Sequence, residues 1–300
     1  MIGAAGLIGR AVLAEARRAG TADAVVASAW PAVPDAHVLR LTPAAIDPLA
    51  RLLEQLEPTA IVNAAGRTAG DADELWQANV EPVATILEAI RVAAPDARLV
   101  HIGSAAEYAE VPGGKTDEEA PLDASTPYAA AKLAAFRLVS EAAESRIDTI
   151  VARVFNTIGA GMPSTSLPGR AARLLTNAVA TGAAEIELGP LGAVRDYVDV
   201  RDIATAVHAL ALEPHLTHRV YNVGSGRPTV VRDLVGRIAE RIGFAGEIRE
   251  STDASPRSGG VSRQVADIGR MLSTGWAPSV ELPESVDALL ASVDAERPSR

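Results

Sequence analysis

A tyrosine and a lysine four residues apart have the types and spacing that proton transfer requires. Tyr128 and Lys132 follow Pro127 at the start of a predicted helix, Pro127–Ser145, and the i, i+4 spacing puts both on one helix face. An ammonium beside a phenol stabilises the phenolate, and such a tyrosine can exchange a proton with a hydroxyl group near neutral pH. Among 28 basic residues only Lys115 and Lys132 are lysines. Arginine is a poor substitute where a compact charge is needed, so this pair predicts an acid/base site.

Three glycines lie at the start of another predicted helix, Leu7–Ala19. Gly3, Gly6 and Gly9 have a spacing that lets the backbone turn tightly and approach a pyrophosphate. The helix N-terminus adds free N–H groups and the positive end of the helix dipole. The same spacing also fits a simple glycine-lined turn between a strand and a helix.

The chain that precedes this glycine loop is short. A strand of about five or six residues should come before such a loop, and only Met1 and Ile2 do so. We therefore expect the chain to begin inside this strand. The sheet position between the predicted strands Ala24–Ser28 and Ala60–Asn63 would then be only partly filled.

The first half of the chain alternates short apolar runs with longer stretches rich in Ala, Leu, Glu and Arg. The runs predict strands at Ala24–Ser28, Ala60–Asn63, Ala97–Gly103 and Asp148–Phe155. The longer stretches predict helices at Leu7–Ala19, Ile46–Leu56, Ala72–Ala93 and Pro127–Ser145. Strands that alternate with helices indicate an α/β fold, in which a parallel sheet is covered on both faces.

The second half is less regular. Predicted strands are Ile186–Leu188 and Val220–Val223, and predicted helices are Val200–Leu212 and Thr229–Ile242. Stretches rich in glycine and polar residues predict loops at Gly159–Gly169 and Ser251–Arg263.

Composition limits the classes of partner. With 300 residues, 48% of them hydrophobic and 22% charged, the chain is typical of a globular protein. A net charge of −10 with scattered basic residues argues against nucleic acid or an anionic membrane as the partner.

The absence of cysteine excludes disulfides and thiolate ligands. His215 and His218 have no carboxylate cluster beside them, so no metal is expected. The apolar N-terminus lacks the positive region of a signal peptide, and the expected compartment is the cytoplasm.

These motifs together resemble the extended short-chain dehydrogenase/reductase family, the NAD-dependent epimerase/dehydratase group. The resemblance implies a doubly wound parallel Rossmann sheet with a smaller C-terminal substrate-binding lobe. The implied NAD(P)-binding domain is 1–158, completed by about 193–223, and the implied lobe is 159–192 and 224–300. The implied catalytic residues are Ser104, Tyr128 and Lys132. The implied cofactor-binding residues are Gly3, Gly6, Leu7, Ile8, Gly9, Asn63, Ala64, Ala65, Tyr128 and Lys132.

Further segments resemble family members that act on nucleotide sugars, above all the branch of GDP-mannose 4,6-dehydratase and GDP-4-keto-6-deoxymannose reductase. They are Arg153–Gly159, Ala193–Asp202, Tyr221–Gly226 and the tail with Arg257, Asp267 and Thr274–Trp276. The substrate-binding residues that they imply are Ser104, Asn156, Arg195 and Arg257.

Departures from the family pattern narrow the expected reaction. The family's dehydratases carry a carboxylate two residues after the catalytic Ser or Thr, and this chain has Ala106 at that position. Glu107 is the next residue, and in a strand-like backbone its side chain is expected to face the other way. This favours reduction or epimerisation over dehydration. At the end of the second predicted strand, Ala24–Ser28, an acid would bind the ribose of NAD, but the stretch Val25–Trp30 carries none. Arg40 replaces an adenine-contacting Asp, and Gly260 replaces an acid that often follows the Arg257 position. The expected cofactor is NADP or NAD, with NADP favoured.

The predicted function is that of an NAD(P)-dependent sugar-nucleotide oxidoreductase, first of all a 4-ketoreductase of an NDP-4-keto-6-deoxyhexose. A sugar-nucleotide 4-epimerase is the next alternative, and a 4,6-dehydratase the third. A non-catalytic NAD(P)-binding regulatory protein is the alternative from a different class. The resemblance also implies a nucleotide-diphosphate sugar as partner and a homodimer.

Overall fold

The computed structural model of the protein describes residues 1–21, 26–27, 37–252 and 260–295. Its α-helices are α1 (Leu7–Arg18), α2 (Ile46–Leu56), α3 (Ala72–Asn79), α4 (Glu81–Ala93), α5 (Pro127–Glu144), α6 (Leu167–Thr181), α7 (Val200–Leu212), α8 (Val231–Ile242), α9 (Gly269–Ser273) and α10 (Leu282–Ala295). Its strands are β1 (Val26–Ala27), β2 (His37–Val38), β3 (Ala60–Asn63), β4 (Arg98–Ser104), β5 (Thr149–Val154), β6 (Asn156–Ile158), β7 (Glu185–Leu188), β8 (Val194–Asp199), β9 (Val220–Val223), β10 (Pro228–Val230), β11 (Glu247–Glu250) and β12 (Arg263–Gln264). Two 3₁₀ turns lie at Pro43–Ala45 and Ala105–Glu107.

The central sheet is parallel in all its described strands. Strands β3, β4, β5 and β9 pair in that order, and the parallel pair β1–β2 belongs to the same sheet. Ile2 forms a parallel bridge with Asn63: its N–H donates to the carbonyl of Val62 at 2.8 Å, and its carbonyl accepts from Ala64 N at 3.0 Å. The chain therefore runs beside β3 directly into the glycine loop, as the motif predicts.

Helices cover both faces of this sheet. Along β4, Leu99 packs into a core with α2, α4 and α5, while Val100 and Ile102 pack into another with α1 and α7. This alternation follows from the period of two along a strand. The predicted α/β class with a doubly covered parallel sheet is confirmed.

A separate apolar core lies in the C-terminal half of the chain. It is built mainly from α6, α8 and α10, with residues such as Leu175, Leu234 and Leu289 fully buried. Strand β8 lies between β10 and β12 in a second sheet and also pairs with β6, and β7 pairs with β11. Met271 and Trp276 pack against α7 instead, so this part of the tail returns to the central sheet. The predicted domain boundaries stay a prediction.

Most predicted elements have the expected positions, with three corrections. The predicted bounds of Ala60–Asn63, Ile46–Leu56, Val200–Leu212 and Val220–Val223 are confirmed. Only Val26–Ala27 of the predicted strand Ala24–Ser28 lies within the described residues. The single helix Ala72–Ala93 is wrong, because a break at Val80 separates α3 from α4, which begins with Pro82 in its first turn. Proline has no N–H for a bond to the preceding turn and therefore favours a helix start.

The other two corrections concern chain segments near the second sheet. Thr229 and Val230 were predicted in a helix but form β10, because their backbone groups pair with Arg195 and Val194 of β8. The predicted loop Gly159–Gly169 ends early, since Ser166 caps α6 by accepting from Gly169 N at 3.2 Å.

An ion-pair cluster joins neighbouring strands at their N-terminal ends. The carboxylate of Asp148, just before β5, accepts from Arg98 Nε at 2.8 Å and from Arg219, just before β9. Arg98 also donates to the carbonyls of Leu210 and Glu213 at the end of α7. Burial alone would raise the pKa of Asp148, but hydrogen bonds from the two arginines hold it below its ordinary value.

We expect the Asp148→Asn variant to be less stable than the wild type at neutral pH, because it loses the charge that pairs with Arg98 and Arg219. The loss should be only about 0.5–1 kcal/mol, since solvent screens this partly exposed cluster. A carboxylate whose pKa is lowered on folding stabilises the fold above its unfolded pKa, and this stabilisation is lost as the pH falls through the folded pKa. The stability difference should therefore shrink as the pH is lowered from about 7 to about 3. Urea unfolding at several pH values measures it, with Asp287→Asn, from a surface pair with Arg241, as the control. A difference that does not change with pH would contradict the ionic role.

Candidate active site

The glycine loop is packed too tightly for side chains at two of its three glycines. Gly3 has φ +78°, and a Cβ there would lie 2.4 Å from Ala65 N. A Cβ at Gly9 would lie 2.1 Å from the carbonyl oxygen of Gly3. Gly6 is the N-cap of α1, with no side-chain cap and no acidic residue in the first turn, which includes Leu7 and Ile8. The first-turn N–H groups therefore face no capping carboxylate, and the loop fits the pyrophosphate of a dinucleotide.

The end of β3 is held by a buried pair of polar side chains. Asn63 Oδ1 accepts from Ala65 N at 3.0 Å, and Asn63 Nδ2 lies 3.2 Å from His101 Nδ1 on β4. The amide N donates, so His101 Nδ1 accepts and its proton is assigned to Nε2. Burial, and then the charge of Lys132, hold the pKa of His101 well below its usual range. His101 is a neutral core histidine, and it orients the turn that packs on Gly3.

Helix α5 places the predicted tyrosine and lysine against the end of β4. Thr126 caps the helix by accepting from Ala129 N at 3.1 Å, and Pro127 occupies the first turn. Lys132 is 5% exposed, and its Nζ donates to the carbonyl of Ile102 at 2.6 Å. Tyr128 is 8% exposed and packs in an apolar cluster with Leu75, Val80, Ala131 and the flanking Ala106.

Ser104 ends β4 and begins the 3₁₀ turn Ala105–Glu107. Its hydroxyl accepts from Ala106 N at 3.2 Å, and its backbone N–H donates to Glu107 Oε1 at 2.6 Å. Lys132 reaches a carbonyl two residues before Ser104, and Tyr128 packs near Ala106. The structure therefore brings the three residues to the carboxyl end of one strand; their catalytic roles stay a prediction.

Glu107 is fully buried next to the Ser104 turn. Its Oε2 accepts from Arg153 Nε at 2.7 Å, and both side chains are at most 1% exposed. The guanidinium carbon of Arg153 lies 4.6 Å from the ring centre of Tyr108 and 4.2 Å from that of Phe136. Burial raises the pKa of Glu107, although Arg153 opposes that rise. The expected strand-like backbone is wrong, because a 3₁₀ turn lies at Ala105–Glu107, and the Glu107 side chain is instead held in the core by its pairing with Arg153.

Two of the predicted substrate residues, Asn156 and Arg195, lie on the second sheet. Asn156 of β6 donates to the carbonyl of Asp196 at 3.2 Å. Arg195 of β8 donates to the carbonyls of Val194 at 2.9 Å and Val261 at 2.6 Å, and burial lowers its pKa. Arg257 lies outside the described residues, as do most residues of Val25–Trp30. Asn156 and Arg195 are thus on adjacent strands, next to the segment that follows Arg257.

Two contacts that the motifs did not predict join this sheet to the Ser104 turn. Gln264 Nε2 donates to the carbonyl of Ala105 at 2.7 Å. Glu110 accepts from the backbone N–H groups of Ser262 and Arg263, each at 3.1 Å. Neither residue belongs to a motif, so no sequence signal marks them. The Asn63–His101 contact could be found once the predicted strands are paired in parallel, because that register puts the two residues opposite each other.

The comparisons with known proteins agree with this geometry. Residues 1–224 match the sequence profile of the NAD dependent epimerase/dehydratase family. The chain is 37% identical over 246 residues to the dTDP-6-deoxy-L-talose 4-dehydrogenase (NAD(P)(+)) of Kitasatospora kifunensis, covering 80% of this chain and 77% of that protein. This chain belongs to the NAD dependent epimerase/dehydratase family. The predicted family, and with it an enzyme of the extended short-chain dehydrogenase/reductase type, is confirmed.

Other relatives support the same placement. GDP-6-deoxy-D-mannose reductase of Pseudomonas aeruginosa is 28% identical over 245 residues, covering 78% of this chain and 80% of the relative. The solved UDP-glucose 4-epimerase of Thermus thermophilus with NAD has a TM-score of 0.83 at 26% identity, covering 99% and 98% of the two chains. RMD from Pseudomonas aeruginosa with NADPH has a TM-score of 0.81 at 24% identity, with coverage of 99% and 98%. These two structures confirm the Rossmann-type fold.

No helix in the described ranges combines the length and apolarity needed to cross a membrane. Within the same ranges, no group of three or more His, Asp or Glu residues could hold a metal ion.

The glycine loop allows two effects to be separated by substitution. Gly3→Ala should destabilise the fold and abolish cofactor binding, because its Cβ would overlap the backbone of Ala64–Ala65. Gly6→Ala should keep the wild-type melting temperature, since its Cβ would be 3.5 Å from the nearest atom, yet weaken NADPH binding by filling the pyrophosphate cradle. Thermal melting and NADPH fluorescence titration measure both effects. Gly192→Ala, whose Cβ meets no atom within 4 Å, is the control. Unchanged NADPH affinity in Gly6→Ala would show that the loop is only a turn.

Proposed function

We propose that the protein is an NAD(P)-dependent 4-ketoreductase of a nucleoside-diphosphate 4-keto-6-deoxyhexose. The observation that carries the proposal is the end of β4. There Ser104 lies with Tyr128 and Lys132, while the position of the dehydratase acid is Ala106, and Glu107 is held by Arg153. This arrangement suits proton and hydride exchange at one carbon better than elimination of water. Relatives named as a 6-deoxy-talose 4-dehydrogenase and a 6-deoxy-mannose reductase support this assignment.

Each residue at the end of β4 has a role in this proposal. When bound, the nicotinamide cofactor supplies the hydride for the C4 carbon. Tyr128 donates its phenolic proton to the C4 oxygen, acting as general acid. Lys132, anchored on the carbonyl of Ile102, stabilises the resulting phenolate and holds the nicotinamide ribose. The hydroxyl of Ser104 donates a hydrogen bond to the same oxygen and so stabilises the charge that develops there.

The remaining predicted residues bind and orient the ligands. Gly3, Gly6, Leu7, Ile8 and Gly9 hold the cofactor pyrophosphate, and Asn63, Ala64 and Ala65 form the wall beneath the nicotinamide ribose. Asn156, Arg195 and Arg257 bind the diphosphate of the sugar nucleotide. The burial of Arg195, which is 8% exposed, favours this role, because a desolvated guanidinium gains more from a phosphate than an exposed one.

A 4-epimerase is the second candidate, supported by the likeness to the Thermus thermophilus enzyme. An epimerase returns the hydride to the sugar and regenerates its cofactor, whereas a reductase consumes one NAD(P)H per product. A non-catalytic nucleotide-binding protein would bind NADPH without transferring hydride to any sugar. Mass spectrometry of dTDP-, GDP- and UDP-linked 4-keto-6-deoxy sugars and hexoses, incubated with NADPH or NADH, separates the three. A reduced 6-deoxy sugar with stoichiometric NADPH loss is expected, and the absence of turnover would reject an enzymatic function on these sugars.

The proposed assembly is a homodimer in the cytoplasm. The resemblance to the family supports this assembly. Light scattering after size-exclusion chromatography measures the mass directly.

Removal of the Tyr128 hydroxyl should abolish the chemistry but not the binding. Tyr128→Phe is expected to lower kcat by about 10²–10⁴-fold, the range for loss of a general acid, while the NADPH dissociation constant changes little. Tyr221→Phe is the matched control, because that buried phenol oxygen accepts from His218 N at 3.1 Å, outside the proposed site. Retention of wild-type kcat in Tyr128→Phe would exclude this tyrosine as the acid.

Cofactor preference should favour NADP. The stretch Val25–Trp30, around the end of the second predicted strand, carries no carboxylate that would bind the ribose 2′-OH of NAD or repel a 2′-phosphate. Fluorescence titration should give a lower dissociation constant for NADPH than for NADH. Introducing an acid with Ser28→Asp should reverse the order, whereas tighter NADH binding by the wild type would contradict the prediction.

A further inference from the structure

The ion pair beneath the Ser104 turn is unusual in its burial. Glu107 and Arg153 are 0% and 1% exposed, and their nearest atoms are 2.7 Å apart. Removing two charges from water costs free energy that a buried pair only partly recovers, so apolar residues often stabilise a core equally well. A contribution to stability is therefore a weak explanation for this pair, and its contacts suggest another.

Glu107 binds the backbone of the residue proposed to contact the substrate oxygen. Its Oε1 accepts from Ser104 N at 2.6 Å, while Ser104 Oγ accepts from Ala106 N at 3.2 Å. This reciprocal arrangement is a capping box, which fixes the first residue of a turn at its backbone and at its side chain. One lone pair of the Ser104 oxygen is occupied by an N–H group. Because this oxygen is the acceptor in that contact, its own proton points away from Ala106 N.

The surroundings leave the Glu107 carboxylate little room to move. Arg153 lies between the rings of Tyr108 and Phe136, which fix the guanidinium that binds Oε2. At Gly103 an added Cβ would lie 2.9 Å from Glu107 Oε1. The absence of a side chain at Gly103 thus makes the space in which the carboxylate reaches Ser104 N.

We propose that Glu107, held by Arg153, is a positioning residue that orients the Ser104 hydroxyl as a hydrogen-bond donor toward the reacting oxygen. The inference rests on the proposed function, because it assigns a target to that hydroxyl. Glu107 itself touches no substrate and exchanges no proton. Its carboxylate stands one residue from the dehydratase position but serves the geometry of Ser104.

A double-mutant cycle tests whether Glu107 acts through Ser104. In Glu107→Gln the side chain keeps one accepting oxygen, and its NH2 group cannot accept a hydrogen bond. It therefore loses its contact with one of the two donors, Ser104 N–H or Arg153 Nε–H. We expect kcat for oxidation of dTDP-6-deoxy-L-talose with NADP⁺ to fall about 10- to 100-fold, as for a small misplacement of a reacting group, with KM and NADPH affinity nearly unchanged. In the Ser104→Ala background the same substitution should lower kcat less than about twofold, because coupled residues are not additive.

Glu118→Gln is the matched control for this cycle. That carboxylate also accepts from a backbone N–H, Asn222 N at 2.8 Å, and lies 3.4 Å from Arg270, but it has no contact with Ser104. It should leave kcat unchanged in both backgrounds. An equal loss of kcat from Glu107→Gln with and without the Ser104 hydroxyl would overturn the positioning role, as would no loss at all.

Two further measurements keep the inference testable if Glu107→Gln does not fold or no sugar is turned over. In Gly103→Ala the added Cβ would lie 2.9 Å from both Glu107 Oε1 and Val151 Cγ1 and 3.2 Å from Arg153 Cγ, so it displaces the carboxylate while both charges remain. Where this variant keeps the wild-type melting temperature, it should give the same loss of kcat, dependent on Ser104. Crystal structures of the wild type and of either variant are independent of turnover. Movement of Ser104 Oγ away from Ala106 N is expected, and an unmoved hydroxyl would overturn the inference. Absence of turnover in the wild type would instead reject the proposed function.

Discussion

The carbonyl oxygen of Ile102 accepts a hydrogen bond from Lys132 Nζ, and the arrangement of the site depends on this contact. It joins α5 to the end of β4, where the strand leaves the sheet. A lysine that is 5% exposed needs such an acceptor, because an unpaired buried ammonium is costly. Since the lysine and the tyrosine are one helical turn apart, the bond also sets the position of Tyr128 relative to Ser104. A parallel sheet favours this location, because ligands bind outside the carboxyl ends of its strands.

The same end of β4 is connected to the C-terminal half of the chain. Gln264 donates to Ala105 O, and the chain around Val265 pairs with Thr116. Asn222 of β9 accepts from Tyr108 Oη at 2.7 Å and donates to the carbonyls of Thr116 and Asp267. Burial raises the pKa of Tyr108, so its phenol remains a donor. The turn that carries Ser104 is thus bonded to the segment that follows the predicted substrate residue Arg257.

Buried polar groups at the site are mostly neutral or paired with an opposite charge. His101 is neutral, Glu107 faces Arg153, and Lys132 faces a carbonyl. Asp196 is satisfied without a cation, because it accepts from the N–H groups of Ser225, Gly226 and Ala266. These contacts favour a single arrangement, since each bonded group would lose its partner in another packing. Two buried nitrogens beside them, His101 Nε2 and Arg153 Nη2, have no hydrogen-bond partner among the described residues. A preorganised site of this kind can bind charge that develops on a substrate oxygen with little rearrangement.

Local sequence patterns predicted the helices, strands and turns that depend on interactions within a few residues. The period of apolar residues and the positions of Pro127, Gly3 and Gly9 depend on backbone geometry within a few residues, so α1, β3 and the start of α5 were predictable. The tyrosine–lysine spacing predicted a shared helix face for the same reason. The register of β3 against β4, which sets Asn63 beside His101, follows once the parallel order is known.

Contacts between distant segments were decided only by the tertiary structure. Thr229 and Val230 form a strand because β8 lies beside them, and no local preference records that neighbour. Glu107 follows the family's dehydratase position by one residue, yet Arg153, 46 residues away, turns it into the core. The sequence alone therefore determined which residues were available for chemistry. Tertiary packing decided which of them face the site, because the direction of a buried side chain is set by partners that the chain brings together only on folding.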